Sequence, residues 1–261
     1  MAVAQDSPRL LTAATVSTDQ LLSFKPQLRD SSKSTYFFGH SNKLGRRVHL
    51  RERDRYWLWV ALEASPRLPR INVSFPPIAL AVHDVAFESC PDAVAVDPNG
   101  RLTIFLVQRE DEDHARHATG WVNACEARTW HFEHLQREHF RIYQTYFENL
   151  SRLLQFCGPS HAVVDSKVCK QMLHELGMRR RMTVSALLGQ VGTHQNIYGA
   201  LAHLILTHAI FSDIGVRQFD QLTELSRFEP IGTDRGKEIL PKILLPEILR
   251  PPTKSEEIRP I

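Results

Sequence analysis

The sequence predicts an α/β domain followed by a smaller helical module, with a mobile arm before them and an extended tail after. Three observations carry that expectation. Between residues 36 and 158, one helix-periodic stretch stands among several short alternating or apolar runs. Residues 159–238 carry three helix-like segments in succession. Beyond 238, prolines recur at 241, 246, 251, 252 and 260 among alternating charges. Each proline removes a backbone donor and restricts its predecessor, which disfavours regular structure.

Residues 1–35 are rich in Ser, Thr, Asp, Gln and Lys and read as an arm with at most one short helix. In "RDRYWLWVALEASP", Tyr56, Trp57, Val60, Ala61 and Ala64 recur at helical spacing and predict a buried stripe. Asp54 falls in the first turn, where the helix dipole favours a carboxylate, and Pro66 marks the end. Strands follow. Ile71, Val73 and Phe75 alternate with polar residues, "IALAV" is a short apolar run, and Pro98, Asn99 and Gly100 supply a turn between "AVAV" and "RLTIFLV". Leu102–Val107 is almost wholly apolar, as a strand buried on both faces requires. "TWHFEHL" reads as a last strand before one long helix at about 136–156. In the second module, "VVDSKVCKQMLHEL" is amphipathic, Thr183 is placed to cap "MTVSALLGQVG", and "NIYGALAHLILTHAIF" is a mostly apolar helix. Three helices with a small extension suit a winged-helix-like module at 159–238, before the tail at 239–261.

Composition bounds the function only loosely. The 32 basic and 29 acidic residues nearly balance, so net charge alone does not predict a nucleic-acid partner. Four cysteines without a CxxC pair read as reduced thiols, and no apolar run reaches the roughly 20 residues that span a bilayer. The N-terminus carries Asp6 and lacks a secretory pattern, so a cytoplasmic protein without a membrane partner is expected. Histidines at 114, 117, 131, 134 and 139 cluster without four-ligand zinc spacing. Arginines gather at 46–70 and at 179–181, and such groups neutralise phosphates without reading sequence. The most suggestive stretch is 90–111. Asp92 opens an apolar strand, a tight turn follows, and the return strand ends at Gln108 and Arg109. Nucleases that hold a metal between two strand ends share this layout.

Several motifs in fixed order carry a resemblance. They are Ser41, Lys43, Arg46 and Val48, an acidic residue entering a helix, "SPRLPRINVSFPPI", Pro91-Asp92, and "RTWHFEHLQREHFR" leading to Asn149-Leu150. With "RMTVSALLGQV" and "ALAHLILTHAIFSDI", these resemble TnsA, the endonuclease subunit of heteromeric cut-and-paste transposases, over roughly residues 36–230. The resemblance implies a restriction-endonuclease-like domain at 36–158 that cuts the 5′ ends of the element. It also implies a C-terminal domain that meets an ATPase regulator, with a transposase subunit and transposon-end DNA as partners.

It implies site residues too. Asp92 takes the strand-start acid and would ligate Mg²⁺, while Asp54 takes the helix acid after a one-residue shift, with Glu52 and Glu63 as runners-up. Glu63, near the helix's far end, reads instead as a solvated surface residue. The family's glutamine or glutamate, any residue, lysine falls on Val107, Gln108 and Arg109; a one-residue slip would instead give Gln108 the catalytic, metal-side role and set Glu110 where the lysine belongs. An arginine there clamps phosphate more readily than it organises an attacking water, because its guanidinium is broad, planar and always charged. The expected consequence is impaired cleavage, with Lys43, Arg46, Arg47, Arg179, Arg180 and Arg181 positioning DNA. The alternative is a non-catalytic adaptor bridging transposase and ATPase regulator.

Overall fold

A computed structural model of the chain describes residues 11–25, 36–109, 113–158, 165–194, 196–215 and 217–228. The proline-rich tail expected at 239–261 lies outside them. The protein is mixed α/β, and it divides into two compact units that are interleaved in sequence. One draws on Met1–Lys33 and Pro69–Leu135, the other on Ser34–Leu68 and Gln136–Ile261. The sequence reading places the boundary between its two folded domains at 158.

The first unit contains α1 (Thr18–Ser23), β3 (Arg70–Asn72), β4 (Ile78–Val82), β5 (Val85–Ser89), β6 (Ala93–Val96), β7 (Leu102–Val107), α3 (His114–Arg128) and β8 (His131–Leu135). A four-stranded sheet runs β3-β6-β7-β8. The expected turn makes β6 and β7 antiparallel, and α3 then carries the chain across to β8, which lies parallel to β7 with Val107 opposite Leu135. All six residues of β7 are buried, as their apolar run requires. On one face, Val94, Val96, Ile104 and Leu106 pack with Trp121 and Cys125 of α3. The Trp121 indole N–H donates to Ser89 Oγ at 3.1 Å, so this large ring is buried with its polar atom satisfied.

Two expectations are corrected in this unit. Residues 11–25 are part of the core rather than an arm. Val16 and Leu21 are fully buried, Ser17 and Gln20 form a capping box on α1, and Arg128 donates to the carbonyls of Ala13, Ala14 and Val16. Ser17, one of the polar residues that suggested solvation, serves as a local cap, while Ala13, Val16 and Leu21, with Leu22 and Phe24 beside them, pack into the core. The second correction is α3 itself. Its buried stripe is thin (Gly120, Trp121, Cys125 and the N-terminal His114), so histidines and small residues hid a fifteen-residue helix.

The second unit contains β1 (Tyr36–Ser41), β2 (Arg46–Arg51), α2 (Arg53–Ala64), α4 (Arg137–Ile142), α5 (Gln144–Cys157), α6 (Ser166–Arg179), β9 (Arg181–Thr183), α7 (Val184–Val191), α8 (Ile197–Leu206), β10 (Phe211–Ser212) and β11 (Glu224–Ser226). β1 and β2 form an antiparallel ribbon. α2 is buried from Trp57 to Glu63 without a break, so it is enclosed all round rather than on the predicted stripe. The expected long helix is two, α4 and α5, parted at Tyr143. Thr183 caps α7 as predicted, accepting from the Ala186 N–H at 3.2 Å. A three-stranded sheet, β10-β11-β9, accompanies α6, α7 and α8. Among the described residues no helix is long and apolar enough to cross a membrane.

Candidate functional site

The strand-end site is built by the β6–β7 hairpin. The Asp92 N–H donates to Phe105 O, which extends the ladder by one residue and points the carboxylate into the sheet's end. The Asp92 side chain has no solvent exposure, and both its oxygens are occupied. Oδ2 accepts from the Val107 N–H at 2.7 Å and Oδ1 from Arg109 Nη2 at 2.8 Å. Charge-assisted bonds of this length satisfy a buried carboxylate that would otherwise be costly. The structure therefore brings Asp92 and Arg109 together. Gln108 is exposed, and its backbone N–H donates to Leu135 O at the end of the β7–β8 ladder.

Arg109 also lines a cavity of about 230 Å³, with Glu88, Cys90, Leu106, His114 and His117 around it. His114 Nε2 lies 2.8 Å from His134 Nε2, so one ring donates and the other accepts. Burial lowers the His134 pKa. His117 stacks on Phe87, ring centroids 5.3 Å apart. The pairing of His114 with His134 was not legible in the sequence, because it depends on α3 crossing over β8.

The donor set does not fit the expected Mg²⁺. A hard cation needs about six oxygens, usually including one or two carboxylates. Asp92 commits both oxygens to Arg109 and Val107. Among the described residues no group of three or more His, Cys, Asp or Glu side chains is placed to hold a metal ion.

Asp54 belongs to the other unit. Its Oδ2 lies 3.0 Å from Arg137 Nε, and Glu52 is 4.0 Å from the same guanidinium. Burial raises the Asp54 pKa, Arg137 opposes the rise and Glu52 adds to it. The pair is a local tie between the start of α2 and the start of α4.

Two further residues are corrected. Lys43, expected on DNA, turns inward and donates to the carbonyls of Leu62 at 2.6 Å and Ser65 at 2.5 Å. It thereby serves the orphan carbonyls at the C-terminal end of α2. Glu63, expected on a solvated face, is 6% exposed and accepts from Ser41 Oγ, Asn42 N and Lys43 N at 2.6, 2.7 and 3.1 Å. A buried acid thus fastens the β1–β2 turn to α2. The remaining expected DNA contacts are Arg46, half-buried, and Arg47, exposed on the ribbon, with Arg180 and Arg181 exposed at the start of β9. Arg179 is also exposed, but it is tied to Glu175, one turn earlier on α6, at 3.7 Å and to Gln190 at 2.9 Å.

The buried titrating groups set an alkaline stability profile. Burial pushes the Lys43 amine from 10.5 down to about 8, against the opposing pull of Glu63. Between those values the unfolded chain holds the proton that the folded chain has shed, so stability rises with pH. Burial pushes the Cys125 and Cys157 thiols from 9.0 up to about 12, and it raises the Tyr146 hydroxyl as well. Above the unfolded thiol value the folded chain holds more protons, and stability falls as pH rises. Thermal melts from about pH 7.5 to about pH 10.5 should therefore show a maximum at about pH 9 and a decline beyond it. A midpoint still climbing at the alkaline limit would mean that the thiols are not protected by burial.

No protein-family model matches the chain, and no curated protein matches it in sequence.

Proposed function

We propose that the protein is a DNA-transposition subunit of the TnsA kind, in which the nuclease-like strand end docks DNA and does not cut it. One observation carries the reading: Arg109 occupies the Asp92 carboxylate that a cleaving site would leave for metal. Phosphodiester hydrolysis of that kind relies on a metal-activated water, and the acid that would help hold the metal is engaged elsewhere. The order of β6, β7, α3 and β8, with an acid at the strand start and a cation at the return strand's end, supports a restriction-endonuclease-like scaffold. The order α6, β9, α7, α8, β10, β11 supports a winged-helix-like second module.

The adaptor reading has an observation of its own. In a winged-helix arrangement α8 would be the groove-reading helix, yet its sequence IYGALAHLIL has no Lys or Arg, and its buried side includes Ala200, Leu201, Leu204 and Ile205. Such a helix offers little to phosphates and suits protein packing. The transposase and the ATPase regulator are the proposed protein partners of this module.

The test is a nicking assay on element-end duplex with the partner transposase and Mg²⁺ or Mn²⁺. The transposase should cut 3′ ends while no 5′ nick appears, and Arg109→Ala should weaken retention of the duplex. A 5′ nick abolished by Asp92→Ala would overturn the reading and make the protein an active nuclease.

A further inference from the structure

We propose that the outer face of the β1–β2 ribbon is a platform for unpaired nucleic acid. The register sets Tyr36 opposite Arg51, Phe38 opposite His49 and His40 opposite Arg47. Side chains alternate across a strand, so these six share one face. The other face is committed inward, with Val48 and Leu50 buried and Gly39 so close beneath the Trp59 ring that a side chain there would strike it.

The outward face holds two aromatic rings, two imidazoles and two guanidiniums, and no carboxylate. Phe38 is 66% exposed, a large apolar ring turned to solvent. Its ring stacks with Tyr36 at 6.3 Å and meets His49 edge-on at 4.9 Å, and the Arg51 guanidinium lies over Tyr36 at 5.3 Å. This is a π surface bordered by cations. A polyanion with accessible ring faces complements it in both charge and shape, because bases stack on aromatics and arginines neutralise phosphates. A duplex hides its base faces, so an exposed ring such as Phe38 can stack only on unpaired bases. The occupant is therefore single-stranded. The inference does not rest on the nuclease-like reading, since it concerns a different element.

The experiment is fluorescence anisotropy of the full chain with a labelled oligo-dT of about fifteen nucleotides, a length within the site sizes of single-strand binders, and with a duplex of the same length. The single strand should bind more tightly. Phe38→Ala should weaken it about tenfold, the loss of one stacked base, while Phe38→Trp retains it. Arg47→Ala should reduce the salt slope by about 0.7. Melting curves matching the parent chain establish that each variant folds. Equal affinity of Phe38→Ala and the parent, no oligo-dT binding, or tighter duplex binding would each overturn the proposal. So would loss of self-association in Phe38→Ala with oligonucleotide binding unchanged, which would make the ribbon a protein interface. None of these results depends on the nicking assay, which uses element ends and a partner transposase.

Discussion

Glu63→Ala is expected to destabilise the folded chain by about 3–5 kcal/mol, the cost of breaking a buried, hydrogen-bonded charge. The mutation removes the acceptor for the Ser41 hydroxyl and for the Asn42 and Lys43 N–H groups at once. It also withdraws the acid that faces the Lys43 amine, leaving that half-buried cation with the carbonyls at the end of α2. Urea unfolding followed by circular dichroism measures the loss as a lower midpoint at unchanged slope. Adding Lys43→Met to Glu63→Ala should recover part of it, because the stranded charge is then gone. A loss below about 1 kcal/mol would mean that water replaces the carboxylate, and that the turn is not fastened to α2 in the way its hydrogen bonds indicate.

Asn149→Ala carries the second large effect. Asn149 is fully buried in α5, donating from Nδ2 to Ile214 O at 2.7 Å and Arg217 O at 2.6 Å. Its Oδ1 accepts from the Phe219 N–H at 2.8 Å. Truncation leaves three backbone groups without this partner, and each unsatisfied buried group costs about 1–3 kcal/mol. The expected loss is about 3–4 kcal/mol after partial relaxation. Asn149→Asp keeps the acceptor but loses both donors and sets a negative charge against two carbonyls, so it should be no milder than alanine. Hydrogen exchange at the Phe219 amide should accelerate in both variants. An unchanged Phe219 amide would show that Phe219 is held by its other contacts.

Much of the secondary structure was legible because its signal is local. Leu102–Val107 could only be a buried strand, the Pro98-Asn99-Gly100 turn dictated the hairpin around it, and Thr183 announced the start of α7. The failures share a cause. α3 buries only four of its fifteen residues, and the N-terminal segment enters the core mainly through Ala13, Val16 and Leu21, so neither produces a strong periodic pattern. Residues 36–51 alternate between an aromatic-cationic face and an inward face, but glycine, serine and arginine on the inward side blur the alternation.

The sequence by itself determined that Asp92 would open a strand and that an arginine would close its neighbour, because both facts follow from local pattern and turn chemistry. It also determined the order of acid, strand and cation from which the resemblance was read. Only the tertiary structure decided what those charges do. Asp92 meets Arg109 because an antiparallel hairpin returns the second residue beside the first, and a buried carboxylate takes the nearest strong donor. Lys43 and Glu63 turn inward for the same reason: a helix end and a tight turn brought together contain unsatisfied backbone groups, and the nearest long polar side chains satisfy them. Which charge faces water and which faces a buried partner is a property of packing, set by distances between segments far apart in sequence.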